Sequence, residues 1–287
     1  MDQKALQLAL AAQRTEITEY HIYKKLAKSS GRPQNKEVLN QIADHEKQHA
    51  GFWEQKTGKT AKVNWWRFYR TIILARLLGL AFALKLMEKN EGTGARNYER
   101  LAKYFPEVDA FAAEEGEHER EILKMLEGGN LTFVGSVVLG LNDALVELTG
   151  ALAGFTLALG DTRIISLAGL VTGISAALSM AASEFLSSKA EGHPQAKKSA
   201  IYTGLSYLIT VILLILPFFL FESRFVALGV VLATALFIIL AFNYYVSVVQ
   251  DLNFRKRFLE MAVISMGVAA FSFFIGYGFR ALLGVEI

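Results

Sequence analysis

Hydrophobic and polar positions change their rhythm once along this chain of 287 residues. Up to about residue 128, apolar residues recur at three- and four-residue spacing with charges between them, as amphipathic helices require. Beyond residue 131 the chain runs in long apolar stretches with charge at their edges. The pattern predicts an all-α protein in two parts, residues 1–128 and 129–287.

The first part reads as four helices. One covers about 3–29 and stops at Ser29-Ser30-Gly31-Arg32-Pro33; the next covers about 35–57 and stops at Gly58. A long third helix is expected from Trp65 to about Lys103, with Gly92 and Gly94 as sites of local distortion. Pro106 opens a fourth helix over 106–127, and Gly128-Gly129 closes it. Segment 71–87 is apolar but falls short of the ~20 residues a membrane span needs, and Arg76 lies near its middle. It is expected to be a buried or interfacial part of the third helix. Trp65, Trp66, Phe68 and Tyr69, mixed with Arg67 and Arg70, fit lipid headgroup contact and ordinary core or dimer contact equally well.

The second part predicts five spans, at about 131–159, 164–187, 199–221, 225–249 and 258–283, each able to cross ~30 Å of hydrocarbon. Loop charges set an orientation. Lys189, Lys197 and Lys198 lie between spans two and three, and Arg255, Lys256 and Arg257 between four and five. Arg163 and Arg224 stand alone in the other two loops. The positive loops and the N-terminal part are therefore expected in the cytoplasm, with Ile287 outside. The first residues also lack the basic flank and apolar core of a signal peptide, which agrees with that orientation.

Hydrophobic residues make up 53% of the chain and the mean hydropathy is +0.31. A formal charge of +3 is too small to argue for nucleic acid. The absence of cysteine excludes disulfides, thiolate zinc sites and iron–sulfur clusters.

The chemistry lies in an internal repeat. Glu16 is followed by Tyr23 and Ala27 at +7 and +11; Glu91 is followed by Tyr98 and Ala102 at the same spacing. Each half then carries Glu-x-x-His, first as Glu46 and His49, then as Glu115 and His118. These spacings keep to one helix face. Carboxylates and imidazoles suit Fe(II), Fe(III) and Mn(II), and four carboxylates converging without cations would be costly to bury. His45 sits one residue off the ligand face, so it is expected to point away, and Glu114 is expected in solvent. His21 is expected at the surface or behind the ligands.

On these residues the first part resembles rubrerythrin-type ferritin-like domains. The resemblance implies two iron ions, with manganese as the alternative, held by Glu16, Glu46, His49, Glu91, Glu115 and His118. It also implies an extra carboxylate, here Glu88, three residues before Glu91, while the matching position before Glu16 is Gln13. Tyr23 and Tyr98 are expected behind the ligands, bonded to carboxylates. The cysteine-ligated iron domain of many rubrerythrins has no counterpart here, which counts against peroxide reduction.

Within the spans, Asp143 and Glu147 share a face of the first, and Met180 and Glu184 a face of the second. A carboxylate at mid-bilayer costs at least ~2.5–3.5 kcal/mol, so such residues read as functional by default. Gly150/Gly154 and Gly169/Gly173 would let helices approach closely. With Gly140-Leu-Asn-Asp143-Ala-Leu, the Gly173 to Glu184 stretch and Gly276-Tyr-Gly-Phe-Arg280, the second part resembles the vacuolar iron transporter family. The resemblance implies a homodimer that exchanges Fe(II) or Mn(II) for protons, with Asp143 and Met180 at the transport site. The family's Glu eight residues before the Met is Thr172 here, so Glu147 or Glu184 is expected to supply that charge. The family's cytoplasmic metal-binding segment between spans two and three is reduced to about eleven residues, a role the N-terminal bundle would take over.

The expectation is therefore a four-helix ferritin-like bundle followed by five transmembrane helices, exporting Fe(II) or Mn(II) from the cytosol. The alternative is a membrane-anchored di-iron ferroxidase or peroxidase for iron detoxification, with the spans as anchor.

Overall fold

The computed structural model describes the backbone of residues 3–127 and 133–283, and the side chains within them except at 90–100, 112, 119, 126–127, 279–281 and 283. It divides into two compact units, Met1–Leu131 and Thr132–Ile287. Among the described residues every regular element is a helix.

The first unit holds α1 (Gln3–Ser29), α2 (Pro33–Thr57), α3 (Trp65–Leu78), α4 (Leu80–Ala102) and α5 (Val108–Glu127). Pro33 starts α2, where its missing N–H costs nothing. Gly58 ends the helix at φ 65°, a left-handed turn that returns its N–H to the Glu54 carbonyl at 2.8 Å. Asn64 caps α3 by accepting from the Arg67 N–H at 3.1 Å. Its own N–H donates to Thr18 Oγ1 at 2.9 Å, fastening the start of α3 to α1.

One expectation is corrected here. The single helix foreseen from Trp65 to Lys103 is two helices, broken at Gly79, whose φ of 92° and ψ of 160° lie outside the helical region. Gly92 and Gly94, foreseen as sites of distortion, lie inside α4, whose backbone is helical throughout.

Two apolar clusters hold this unit. One gathers Ile22, Leu26, Leu39, Ile42, Ile72, Leu84, Met87 and Ile122; the other gathers Ala9, Trp53, Leu101 and Val108. Each of α1, α2, α4 and α5 contributes to both clusters at positions on either side of its predicted ligands. Ala9 and Ile22 bracket Glu16, and Ile42 and Trp53 bracket Glu46 and His49. Met87 and Leu101 bracket Glu91 in the chain, and Val108 and Ile122 bracket Glu115 and His118. The donors thus form a polar layer between two dry ones. At roughly 25 cal/mol per Å² of apolar surface, it is those flanking layers that can offset the cost of bringing carboxylates together.

The second unit holds α6 (Val134–Ala158), α7 (Thr162–Ala190), α8 (Ala196–Leu220), α9 (Arg224–Val249) and α10 (Phe254–Leu283). All five are long and apolar enough to cross a membrane. Asp161 caps α7 by accepting from the N–H groups of Arg163 and Ile164 at 2.7 and 3.2 Å. The core consists of Leu145, Leu148 and Leu152 of α6, Val211 and Leu214 of α8, and Val231 and Ile239 of α9. The outer surface stays apolar, with Leu167, Leu178, Phe237, Phe271 and Phe274 exposed. That distribution suits hydrocarbon outside the bundle as well as inside it.

Glycine sets how closely these helices approach. A methyl group at Gly140 would lie 2.2 Å from the Thr203 carbonyl oxygen on α8, and one at Gly276 would lie 2.6 Å from that of Gly154. Gly150 and Gly154 face Val268 and Ser272 on α10, while Gly169 and Gly173 face Ile215 and Val211 on α8. Hydrogen bonds also tie α6 to its neighbours, Ser206 Oγ of α8 donating to the Val137 carbonyl at 3.3 Å. Thr203 Oγ1 donates to the Ser136 carbonyl at 3.0 Å, and Ser265 Oγ to that of Leu145 at 2.9 Å.

Candidate metal centre

Glu16 on α1, Glu46 and His49 on α2, and Glu115 on α5 each offer a donor atom, and the four atoms lie within 4.8 Å of one another. Glu16, Glu46 and His49 are buried, and Glu115 is half-buried. His49 Nδ1 lies 3.6 Å from Glu115, 3.7 Å from Glu16 and 4.0 Å from Glu46. His118, also buried, brings its Nδ1 to 3.4 Å from Glu46 and 3.8 Å from Glu115. The two imidazoles, with ring centres 6.4 Å apart, therefore address the same two carboxylates.

Each ring's outer nitrogen is held as well. His49 Nε2 lies 2.7 Å from Glu114 Oε2, and His118 Nε2 lies 2.8 Å from His45 Nδ1. The holders are the residues just before Glu115 and Glu46, so each Glu-x-x-His motif steadies the histidine of the other. Both depart from expectation: His45 does not point away from the site, and Glu114 is only partly solvated. A side chain one position off the ligand face of its own helix can still reach the neighbouring helix. A ring nitrogen fixed in this way presents the opposite nitrogen as a donor.

Burial pushes the Glu46 carboxyl well above its ordinary range, helped by a hydrogen bond with Glu16 and the nearby charges of Glu16, Glu115 and Glu19. For His49, burial works against the charged form, but the facing carboxylates of Glu115 and Glu16 and the hydrogen bond with Glu114 prevail and raise it to about 10. Burial likewise opposes ionisation of Glu115, yet the facing imidazoles of His118 and His49, 3.8 and 3.6 Å away, bring it down to about 2. With its own residues alone, the layer holds its charge balance by borrowing protons on His49 and Glu46.

The donor set fits a metal. Glu46 Oε2, His49 Nδ1 and His118 Nδ1 are buried and make no hydrogen bond among the described residues. Buried polar atoms are seldom left so, and mixed oxygen and imidazole donors suit iron or manganese in either common valence.

The remaining expected residues are placed as follows. Glu88, half-buried, lies outside the four-residue cluster and pairs with Lys85 at 3.0 Å. Glu91 and Tyr98 lie on α4 with side chains outside the described residues. Tyr23 is buried in the apolar cluster with Ile22 and Leu26. His21 packs on Tyr20 and Trp65. Glu19, which the repeat did not single out, is buried and paired with Arg67.

In the second unit Glu147 accepts a hydrogen bond from the hydroxyl of Tyr207, a fully buried residue of α8, at 2.7 Å. Asp143 is half-buried one turn earlier on α6. Glu184 accepts from Ser136 of α6 at 3.3 Å and from Ser188 at 3.1 Å, which ties α7 to α6. Met180 is half-buried against the apolar core. Tyr207 was missed because a lone hydroxyl in an apolar stretch has no periodicity to reveal it. Its depth in a span was the available signal.

Comparison with known proteins finds one match in each unit. A model of the Rubrerythrin family matches residues 4–71, which include Glu16, Glu46 and His49. A model of the VIT family matches residues 134–196, which include Asp143, Glu147, Met180 and Glu184. No curated protein matches the chain. The chain is an integral membrane protein that joins a rubrerythrin-like domain to a VIT-like membrane domain.

Proposed function

We propose that this protein carries Fe(II), with Mn(II) as a second cargo, out of the cytosol in exchange for protons. The observation that carries the reading is the convergence of Glu16, Glu46, His49 and Glu115 to within 4.8 Å in a chain that also has five membrane-length helices. In this reading the bundle is cytoplasmic and captures the ion, with His118 and Glu91 completing two metal positions and Glu88 as an alternate carboxylate. Asp143, Glu147, Met180 and Glu184 then contact the ion in transit, and the C-terminus lies outside. Partly neutralised carboxylates hold an ion firmly enough to accept it and loosely enough to release it. Tyr207 acts as a positioning residue, since its hydroxyl fixes the Glu147 carboxylate. The family likeness supports a homodimer as the working unit.

The test is Fe(II) uptake into proteoliposomes with and without a proton gradient. Uptake driven by the gradient and lost in Asp143→Ala is expected. Equal uptake by Asp143→Ala and the parent would refute the path.

A second reading, oxidation of Fe(II) to Fe(III) with dioxygen as electron acceptor, is favoured by the paired imidazoles facing shared carboxylates. Bound iron would supply the redox chemistry, and the chain's part is to bury and orient the donors. Oxygen consumption on Fe(II) addition, lost in Glu46→Ala while Asp143→Ala retains it, supports that reading.

A further inference from the structure

Helix α3 is apolar on two opposite sides. Phe68, Ile72 and Ala75 turn inward onto the cluster that holds Ile22, Leu84 and Met87. The other side carries Trp66, Tyr69, Ile73 and Leu77, at the three- and four-residue spacing of one face. Trp66 is 77% exposed and Leu77 76%. A helix apolar on two opposite sides calls for apolar surroundings on both, and the described residues supply them on the inner side alone.

The charges of the segment that carries this stripe have one sign. Arg70 and Arg76 lie exposed along it, and Lys59 and Lys62 lie exposed just before it. Between Glu54 and Glu88 the chain has no acidic residue. We propose that this face of α3 docks on the anionic headgroup surface of a bilayer, with Trp66, Tyr69, Ile73 and Leu77 entering the interface.

Charge complementarity decides the occupant. A second copy packed on the same face about a two-fold axis would set these cations against their own equivalents, whereas anionic lipid neutralises them. Tryptophan and tyrosine interleaved with arginine also suit the interface, where an amphipathic ring has one wet and one dry side. Gly79 ends the stripe one residue after Leu78 by turning the chain out of the helical direction. Only residues 128–133 separate α5 from the first apolar span in sequence, so a bilayer is always within reach. The inference rests on the chain's being a membrane protein and is independent of what it transports.

The protein supplies its own reporters. Its three tryptophans, Trp53, Trp65 and Trp66, all lie in the bundle, and Trp53 is fully buried. The full chain is placed in nanodiscs of phosphatidylglycerol brominated near the headgroup end of the acyl chains. Tryptophan emission is expected to fall roughly twofold against ordinary phosphatidylglycerol, as for rings seated at the interface. The drop should vanish in Trp65→Phe/Trp66→Phe and shrink in Arg70→Glu/Arg76→Glu. Equal emission in brominated and ordinary lipid overturns the proposal, and full quenching in the arginine double variant overturns its electrostatic basis. Because the chain has no cysteine, Ile73→Cys places a single thiol on the stripe. Disulfide-linked dimers with unquenched tryptophan would assign the face to a second copy and contradict lipid docking.

Discussion

His45 Nδ1 lies 2.8 Å from His118 Nε2, and it holds that ring from the helix on which the other Glu-x-x-His motif is written. Glu114 does the same for His49 at 2.7 Å. One imidazole is therefore backed by a carboxylate and the other by a second imidazole. A carboxylate raises the basicity of the ring it backs, so the position served by His49 should bind metal more tightly. Removing such a partner typically lowers metal affinity 10- to 100-fold. Co(II) titration should show two unequal affinities, with the tighter weakened in Glu114→Ala and the weaker in His45→Ala. Equal effects of both variants on both sites would contradict the pairing.

Glu46 gives a test that separates the ligand role from packing. Its carboxyl is buried and crowded by Glu16, Glu115 and Glu19. Glu46→Gln puts a neutral amide where burial and the neighbouring carboxylates already oppose ionisation, so the metal-free bundle should unfold at an equal or higher temperature. The same change should abolish the stabilisation that metal gives the parent, about 2.7 kcal/mol at a free metal concentration near 100 times Kd. Thermal unfolding with and without Fe(II) under anaerobic conditions measures both arms. A metal-induced shift that survives Glu46→Gln would remove Glu46 from the ligand set.

The pH dependence of the metal-free bundle follows from His49 and Glu115. His49 is raised from 6.5 to about 10, so its contribution to stability is complete below 6.5 and is lost as pH climbs through 10. Glu115 is lowered from 4.5 to about 2, so its contribution is complete above 4.5 and is lost as pH falls toward 2. Glu46, raised above its ordinary 4.5, contributes fully below 4.5 and loses that contribution as pH rises, before His49 begins to lose its own above 6.5. The metal-free bundle should therefore be most stable near pH 4.5 and decline from there in both directions. Metal displaces the His49 proton, so affinity should rise with pH across the range where metal-free stability falls. Unfolding followed through the buried Trp53, paired with metal titration at each pH, checks both trends.

The membrane unit is expected to be sensitive at Gly140 and tolerant at Gly229. A methyl at Gly140 meets the Thr203 backbone oxygen at 2.2 Å, and one at Gly229 meets nothing within 4 Å. Gly140→Ala should cost about 1–3 kcal/mol through overpacking, whereas Gly229→Ala should be neutral or slightly stabilising. Thermal stability in detergent distinguishes the two.

Much of this architecture was legible in the sequence because the signals were local. Gly31-Arg32-Pro33 and Gly58 stop helices for steric reasons that no tertiary contact changes, and the five apolar runs fall at the observed helices to within a few residues. The convergence of Glu16, Glu46, His49 and Glu115 could be read from repeated spacing, since two matching halves must present matching faces. What stayed hidden depended on neighbouring helices. Periodicity tells which face of α2 carries His45, but whether its ring reaches His118 depends on where α5 stands. The break at Gly79 was masked because apolar positions continue in helical rhythm through Leu78 and Leu80, and a left-handed glycine leaves no mark on that rhythm.

The most direct test of the account is the metal content of the purified full-length protein after anaerobic saturation with Fe(II). About two ions per chain are expected, as for a layer of four carboxylates and two imidazoles, falling sharply in Glu46→Ala. A parent protein that stays metal-free, or a Glu46→Ala variant that binds as much iron as the parent, would contradict it.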